Sequence, residues 1–344
     1  MSGPLPEFLG PITRPASRLY GRIIARRNAQ FDRGRGITKI DRPVISVGNI
    51  TTGGTGKTPM VMWIANWLLS QVREPAIVMR GYMADVGHPS DEEAEYLRLL
   101  PNVAVLAQPK RKAALQSFLP QHPEVDCVLL DDGFQHRQLH RDLDLVLIDA
   151  TRSTFNDRLL PAGHLREPLS QLSRASAIIV TRSEDMDGAI VKQIVSFHGK
   201  PPIAWTRHHW TQLWVEDVCG AAEPQPVTWL KDKRILTMLG IGHPQPLLSQ
   251  LEKAGAKVAV NIPARDHERF NHGKLAVARG LCDGLDAMVV TMKDWLRMSL
   301  AGRPQWPIPI VIPQLEMEVW EGEKALKSIL LDAVPSRRHL SKPL

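Results

Sequence analysis

Residues 44–59 read Val44-Ile-Ser-Val-Gly-Asn-Ile-Thr-Thr-Gly-Gly-Thr-Gly-Lys-Thr-Pro59, and this segment is the most informative one for the fold class. Its apolar start predicts a buried strand, its glycines predict a tight loop, and the apolar periodicity that follows predicts a helix with proline in its first turn. Glycine allows several backbone N–H groups to converge on an anion at a helix N-terminus. The stretch therefore predicts a phosphate-binding loop, and a glycine-rich turn without a ligand is the alternative.

The loop ends in the side chains that phosphoryl transfer uses. Lys57 is expected to reach the β- and γ-phosphates of ATP, and the Thr58 hydroxyl to coordinate Mg²⁺. The strict G-x-x-x-x-G-K-[ST] pattern has glycine where this chain has Thr51. The predicted nucleotide-binding residues are Thr51, Thr52, Gly53, Gly54, Thr55, Gly56, Lys57 and Thr58.

On the C-terminal side of the loop, β-branched runs alternate with helical segments, which predicts a parallel sheet covered on both faces. The predicted strands are 43–47, 76–79, 103–106, 125–130, 143–148 and 177–180, followed by 234–239, 257–260, 287–290 and 308–312. The fold class is therefore α/β, with a P-loop NTPase-like parallel-sheet domain and a second α/β domain joined by a β-ribbon. The predicted segments are a basic N-terminal segment (1–30), the nucleotide-binding domain (31–205), the ribbon (206–228), the second domain (229–330) and a tail (331–344).

Composition indicates a globular protein of the cytoplasm. The chain has 344 residues, enough for two domains, and its 43% hydrophobic and 23% charged residues exclude a disordered protein. Cys127, Cys219 and Cys282 are odd in number and form no C-x-x-C pattern, which indicates a reducing compartment and no metal site at the cysteines. The sequence lacks an apolar run of the roughly 18 residues that a spanning helix needs and has no signal-peptide pattern.

Much of the net charge of +7 comes from an arginine-rich N-terminal segment. Four arginines repeat every four residues, so a helix would align them on one face beside an apolar strip. Such a helix can lie on an anionic membrane surface or dock on its own domain. Nucleic acid is disfavoured as a partner, because no stacking aromatics or recognition motif accompany the arginines. The arginines are Arg14, Arg18, Arg22 and Arg26, and the strip is Leu19, Tyr20, Ile23 and Ile24.

Two places outside the loop carry candidate carboxylates. Asp131 and Asp132 follow an apolar strand, where one or both are expected to hold Mg²⁺ beside the phosphates, although an acid at a strand end is also a common turn residue. Ser90 and Glu93 flank Asp91 in a pattern that favours a helix capping box, which gives Asp91 a structural interpretation.

Seven motifs in order resemble the tetraacyldisaccharide 4′-kinase family of lipid A biosynthesis, over about residues 15 to 295. They are the loop at 48–59, Arg80-Gly81-Tyr82, Asp131-Asp132-Gly133-Phe134-Gln135-His136, Leu160-Pro161-Ala162-Gly163 with Leu165-Arg166-Glu167-Pro168, Gly240-Ile241-Gly242 with Pro244, Asp266-His267, and Thr291 with Lys293-Asp294. Family members also have threonine at the position of Thr51.

The resemblance implies ATP- and Mg²⁺-dependent phosphorylation of the 4′-hydroxyl of a tetraacylated glucosamine disaccharide 1-phosphate. It implies two α/β/α domains, and a peripheral location on the anionic cytoplasmic face of the inner membrane, approached by the N-terminal segment. The main rival is a P-loop ATPase that acts as a switch or binds a partner at the membrane, for which a second domain with polar strand ends has no evident use. A soluble small-molecule kinase would have no use for the arginine helix.

By position, the resemblance assigns roles to residues outside the loop. Asp91 matches the catalytic carboxylate and His267 the histidine that pairs with it. Residues assigned to the surroundings of the substrate and nucleotide are Tyr82, Glu92, Arg111 and Gln135. This chain departs from the family pattern in a short loop between Tyr82 and Asp91, and in Ser90, Glu268 and Met292, which replace the usual Gly, His and Glu.

Overall fold

The computed structural model describes residues 10–81, 90–241, 244–264, 270–300 and 305–335. The chain divides into two compact units, and the first contains the chain up to Arg207 together with the part from Met317 onward. The second unit is His208–Glu316. Two long strands, β7 (Ala204–Glu216) and β12 (Ile310–Glu321), cross from one unit to the other.

This division differs from the boundaries expected from the sequence. The expected second domain ran to residue 330, whereas the structure returns the chain to the first unit at Met317. The physical reason is burial, because Met317, Val319, Leu326 and Leu330 belong to a core cluster of the first unit. The ribbon expected at 206–228 belongs to the second unit from His208 onward.

In the first unit, a parallel sheet has the strand order β7-β6-β5-β1-β4-β2-β3. The strands besides β7 are β1 (Val44–Asn49), β2 (Pro75–Met79), β3 (Ala104–Ala107), β4 (Cys127–Asp131), β5 (Leu143–Asp149) and β6 (Ala177–Thr181). The helices are α1 (Gly10–Asp32), α2 (Lys57–Ser70), α3 (Asp91–Leu99), α4 (Arg111–Phe118), α5 (Gly188–His198) and α9 (Glu323–Ala333).

The sheet of the first unit is buried on both faces, as its apolar strands require. Every residue of β1 is buried, with Ile45 and Val47 in one core cluster and Val44 in another. Because successive side chains of a strand alternate between faces, these clusters lie on opposite sides of the sheet. Because β1 pairs in parallel with β4 and β5, the carboxyl ends of these three strands meet at one edge, where a ligand of an open parallel sheet collects.

The second unit contains a smaller parallel sheet, in the order β10-β9-β11-β12, with β8 antiparallel to β7. Its further strands are β8 (Ala222–Gln225), β9 (Arg234–Leu239), β10 (Lys257–Pro263) and β11 (Ala287–Val289), and its helices are α6 (Gln245–Lys253), α7 (His272–Gly280) and α8 (Met292–Leu300). Separate core clusters lie within this unit. Both units thus have the α/β class expected from the sequence.

Helix α1 docks on the first unit along one face. The Tyr20 hydroxyl donates to the carbonyl oxygen of Arg166 at 2.9 Å, Arg27 pairs with the buried carboxylate of Glu167 at 2.9 Å, and Ile24 is buried. The other face is open to solvent. It presents Arg14, Arg18, Arg22 and Arg26, together with Leu19 (59% exposed) and Ile23 (55% exposed). None of the described helices combines the length and apolarity that crossing a bilayer requires.

Candidate active site

The glycine-rich loop joins β1 to α2, as the sequence predicts. Gly53 and Gly56 have φ values of 88° and 84°, in the left-handed region that glycine adopts without strain, and α2 begins at Lys57. Gly53 and Gly54 are exposed, whereas Thr51 and Thr55 are buried. The exposed part of the loop therefore offers backbone N–H groups at the N-terminus of α2, the arrangement that binds phosphate.

Lys57 faces Asp132 across the loop. The Lys57 ammonium lies 3.5 Å from a carboxylate oxygen of Asp132 and 3.5 Å from the side-chain oxygen of Asn49. One guanidinium nitrogen of Arg166 donates to both oxygens of Asp132, at 2.8 and 2.7 Å. The two cations thus share one carboxylate at the edge of the sheet.

The charges around Asp132 fix its ionisation. Burial acts to raise its pKa, but the charges of Lys57, Arg166 and Arg111 outweigh burial and hold the pKa at about 2. Asp132 also has a positive φ of 51°, in a region that few residues other than glycine adopt. The carboxylate is therefore fully ionised at neutral pH and already engaged by cations.

Asp131 lies in a different environment, although it is the adjacent residue. Its side chain is buried, and burial raises its pKa despite the charge of Lys57. The hydroxyl of Tyr96, which is completely buried on α3, donates to Asp131 Oδ2 at 3.0 Å. The other oxygen, Oδ1, is buried without a hydrogen-bond partner. One acid is thus neutralised by cations, while the other keeps an unsatisfied oxygen.

Two of the residues assigned by resemblance lie at this edge. Arg111, the first residue of α4, is buried and donates to the backbone oxygen of Asp132 at 3.1 Å. Burial lowers the pKa of Arg111, and the charges of Asp132 and Asp131 oppose that effect. Gln135 donates to the backbone oxygen of Asn49 at 2.9 Å and lies 3.3 Å from Arg166.

Arg166 reaches the site because its segment runs beside the loop. The Thr52 N–H donates to the carbonyl of His164 at 2.8 Å, and the Arg166 N–H donates to the carbonyl of Ile50 at 2.8 Å. These backbone hydrogen bonds explain the Leu165-Arg166-Glu167 motif structurally, because they position the Arg166 side chain so that it donates to Asp132. The motif was noted in the sequence, but Arg166 was not predicted as a site residue.

Two further arginines lie at the exposed glycines. Arg152 donates to the carbonyl of Thr52 at 3.0 Å, and a Cβ on Gly53 would lie only 2.9 Å from its guanidinium. Arg182 donates to the buried carboxylate of Asp149 at 2.7 Å, and the Nε of Arg152 lies 3.4 Å from the same oxygen. Asp149 and Arg182 stand at the ends of β5 and β6, so strand-end position was the signal that could have indicated them.

The capping box predicted at the start of α3 is present. Ser90 and Glu93 exchange side-chain-to-backbone hydrogen bonds, each of 3.3 Å. Asp91 is the first residue of the helix, and its side chain lies outside the described part of the structure. Glu92 lies close enough to Asp131 to raise the pKa of that carboxyl. The start of α3 is thus directed to the same edge as the two strand-end acids.

The remaining predicted residues, Tyr82 and His267, lie outside the described residues, as does Asp266. Tyr96 was not predicted, because nothing in the sequence pairs it with Asp131.

The residues present at the edge fit a magnesium ion. Among the described residues, no three His, Cys, Asp or Glu side chains cluster as a metal cage. Mg²⁺ in phosphoryl-transfer enzymes needs fewer than three protein side chains as ligands, because water and the phosphates complete its coordination shell beside one or two protein oxygens. The unsatisfied oxygen of Asp131 and the hydroxyl of Thr58 would hold the ion, and the ion would neutralise charge on the phosphates.

Comparisons with known proteins agree with this geometry. The family model described as tetraacyldisaccharide-1-P 4′-kinase, LpxK, matches residues 9–335. The tetraacyldisaccharide 4′-kinase of Chlorobium phaeovibrioides is 34% identical over 95% of this chain and 98% of its own length. That of Geobacter sulfurreducens is 31% identical over 86% of each chain.

A solved structure extends the match to three dimensions. The crystal structure of an "apo" form of LpxK from Aquifex aeolicus in complex with ATP has a TM-score of 0.67 and 30% identity, and the match covers 93% of this chain and 98% of that one. Three observations agree. The structure has a phosphate loop beside two strand-end acids, the family model matches nearly the whole chain, and the relatives match over nearly their full length. The chain belongs to the tetraacyldisaccharide-1-P 4′-kinase family.

Proposed function

We propose that this lipid kinase transfers the γ-phosphate of ATP to the 4′-hydroxyl of a tetraacylated glucosamine disaccharide 1-phosphate, giving the bisphosphorylated lipid A precursor. The observation that carries the proposal is the grouping of Lys57, Asp131, Asp132 and Arg166 at the phosphate loop. Family membership supports the lipid disaccharide as acceptor.

Phosphoryl transfer of this kind depends mainly on positioning and charge stabilisation. The 4′-oxygen forms a bond to the γ-phosphorus while the bond to the β-phosphate oxygen breaks and ADP leaves. Lys57 stabilises the charge on the transferring group, and the loop N–H groups hold the phosphates. Arg152 and Arg182 are placed to add positive charge at Gly53 and Gly54. Mg²⁺, when bound, neutralises charge on the phosphate oxygens.

The hydroxyl proton needs an acceptor within hydrogen-bond reach. We assign that role to Asp91, because it matches the family's catalytic carboxylate and begins the helix that also carries Glu92 and Tyr96 to the edge of the sheet. The resemblance pairs His267 with this carboxylate, and Tyr82 with the substrate.

We further propose that α1 attaches the enzyme to the anionic cytoplasmic face of the membrane in which its lipid substrate lies. Its docked face holds it to the first unit, and its open face combines four arginines with Leu19 and Ile23. Basic charge and apolar side chains on one face act together at a bilayer surface.

The direct test is incubation with ATP, Mg²⁺ and tetraacyldisaccharide 1-phosphate, with the product analysed by mass spectrometry. We expect a mass gain of one phosphate and a stoichiometric amount of ADP. Hydrolysis of ATP with no phosphate on the lipid would favour the rival function, a nucleotide-dependent switch. Phosphorylation of soluble sugars in preference to the lipid would contradict the assigned substrate.

A further inference from the structure

Tyr96 links helix α3 to the strand-end acids. It is the sixth residue of α3 (Asp91–Leu99), its side chain is completely buried in the main core of the first unit, and its hydroxyl donates to Asp131 Oδ2 at 3.0 Å. A buried tyrosine hydroxyl nearly always has such a partner, so a hydrogen bond alone assigns no role beyond packing. The second oxygen of Asp131, which is buried without a hydrogen-bond partner, adds one.

The Tyr96 hydroxyl determines which oxygen of Asp131 is occupied. A phenol has a single proton, and Tyr96 donates it to Asp131 Oδ2. The ring that carries this hydroxyl is completely buried in the core, so the hydroxyl is held in a fixed place.

This hydrogen bond leaves the second oxygen of Asp131 for another partner. Asp131 Oδ2 is occupied by Tyr96, while Oδ1 is buried with no hydrogen-bond partner. Magnesium takes oxygen ligands, so Oδ1 is available to a cation at the phosphate loop.

We propose that Tyr96 is a positioning residue for the magnesium ligand Asp131: it donates its proton to Asp131 Oδ2, so that Asp131 Oδ1 is left to face the cation. The inference rests on the proposed function, because that function supplies the ion. Partners of this kind fix the orientation of metal ligands, and their loss typically weakens metal binding about 10- to 100-fold.

The test is Tyr96→Phe, which keeps the buried ring and removes only the hydroxyl. Mn²⁺ binding is measured by electron paramagnetic resonance, and Mg²⁺ binding by competition, in the complex with a non-hydrolysable ATP analogue, so that no turnover is needed. We expect both ions to bind about 10- to 100-fold more weakly. The control is Thr237→Val, which removes a buried hydroxyl that donates to Asn261 in the second unit.

A role in packing alone predicts a different result, namely a lower melting temperature of the metal-free protein with Mn²⁺ and Mg²⁺ affinities within twofold of wild type. That result would overturn the proposal. If Tyr96→Phe does not fold, wild-type protein labelled with ¹³Cζ-tyrosine provides the measurement, with Tyr20→Phe and Tyr82→Phe used to assign the signals of the three tyrosines. The Tyr96 signal should shift when Mg²⁺ is added to the analogue complex, and an unchanged signal would contradict the proposal.

The kinase assay on wild-type protein separates the two claims. If the wild type fails to phosphorylate the lipid and Tyr96→Phe still weakens Mn²⁺ binding, then the proposed function is wrong and the role of Tyr96 stands. If the wild type is active and metal binding does not change in the variant, then only the role of Tyr96 is wrong.

Discussion

Asp131 and Asp132 are adjacent in the chain, yet the fold gives them opposite effects on stability. Asp132 has a pKa lowered to about 2, because Lys57 and Arg166 outweigh its burial. Since this folded-state pKa lies below the usual 3.8, the carboxylate stabilises the fold above pH 3.8 and that contribution is lost as the pH falls toward 2. The pKa of Asp131 is raised by burial, so its ionised form opposes folding at neutral pH.

We therefore expect Asp132→Asn to lower the melting temperature at pH 7, with a gap to wild type that narrows as the pH falls from 4 toward 2. Asp131→Asn should change the melting temperature of the metal-free protein little at pH 7, since the substitution removes a buried charge and keeps a hydrogen-bond partner for Tyr96. Calorimetry over that pH range measures both, with the exposed Asp185→Asn as control. A pH-independent gap for Asp132→Asn would contradict the ion-pair explanation.

Lys57 should be needed for transfer and dispensable for folding. Its ammonium is 3.5 Å from Asp132, so its removal leaves the carboxylate paired with Arg166 and the fold intact. We expect Lys57→Ala to abolish measurable transfer, because the missing charge is one that stabilises the transferring phosphate. Steady-state kinetics and circular dichroism check the two parts, with the exposed Lys200→Ala as a matched control. A kcat near that of wild type would refute the role of the loop lysine.

At the scale of elements, α3 has two separable functions. The capping box of Ser90 and Glu93 starts the helix, while Asp91 is the proposed proton acceptor. Ser90→Ala should cost about 1 kcal/mol of stability, since it removes a helix N-cap, and leave kcat within severalfold. Asp91→Asn should instead lower kcat by about 10²- to 10⁴-fold with little change in melting temperature. If Asp91→Asn lowers stability but not kcat, Asp91 only supports the start of the helix.

The two faces of helix α1 have different proposed roles. One face docks on the first unit, and the other face attaches the protein to the membrane. Changing Arg14, Arg18, Arg22 and Arg26 to Gln should weaken binding to vesicles that contain anionic lipid, because each basic residue near such a surface contributes about 1 kcal/mol. The docked face is unaltered, so the melting temperature and turnover of detergent-dispersed substrate should stay close to wild type.

The control for α1 is Arg27→Gln, which breaks the pair with buried Glu167 and should lower stability without a comparable loss of vesicle binding. Sedimentation with vesicles of graded anionic content measures the effect. Equal sedimentation of the wild type and the variant without the four arginines would leave docking as the only function of the helix.

Local sequence patterns predicted elements better than contacts between distant residues. The strand predicted at 125–130 is β4, Cys127–Asp131, because its apolar run is fully buried. The strand predicted at 308–312 is only the start of β12, which extends to Glu321 through a part in which only Met317 and Val319 are buried after residue 313. The pairing of Arg182 with Asp149 could not be predicted from the sequence, although both lie at strand ends, since the pairing of β5 with β6 brings them together.

At the scale of the whole molecule, each hydrophobic cluster of the described residues lies within one unit. The second unit is also held by a buried polar network. Asp294 is completely buried, accepts from the Thr291 hydroxyl at 2.6 Å and from the Gly240 N–H at 3.1 Å, and pairs with Arg297 at 3.3 Å. This network fixes the end of β9 to the start of α8, and it explains the Thr-x-Lys-Asp motif as a structural feature.

Separate cores predict that damage to this network stays in the second unit. Asp294→Ala leaves Arg297 buried without its carboxylate, a loss that typically costs about 3–5 kcal/mol. We expect a lower unfolding transition for the second unit in a denaturant titration followed by tryptophan fluorescence, while the affinity for ATP, whose loop lies in the first unit, stays within twofold of wild type. The exposed Asp283→Asn in the same unit is the matched control and should change neither quantity. A parallel loss of ATP affinity in Asp294→Ala would mean that the two units unfold as one, because the phosphate loop contains no residue of the altered network.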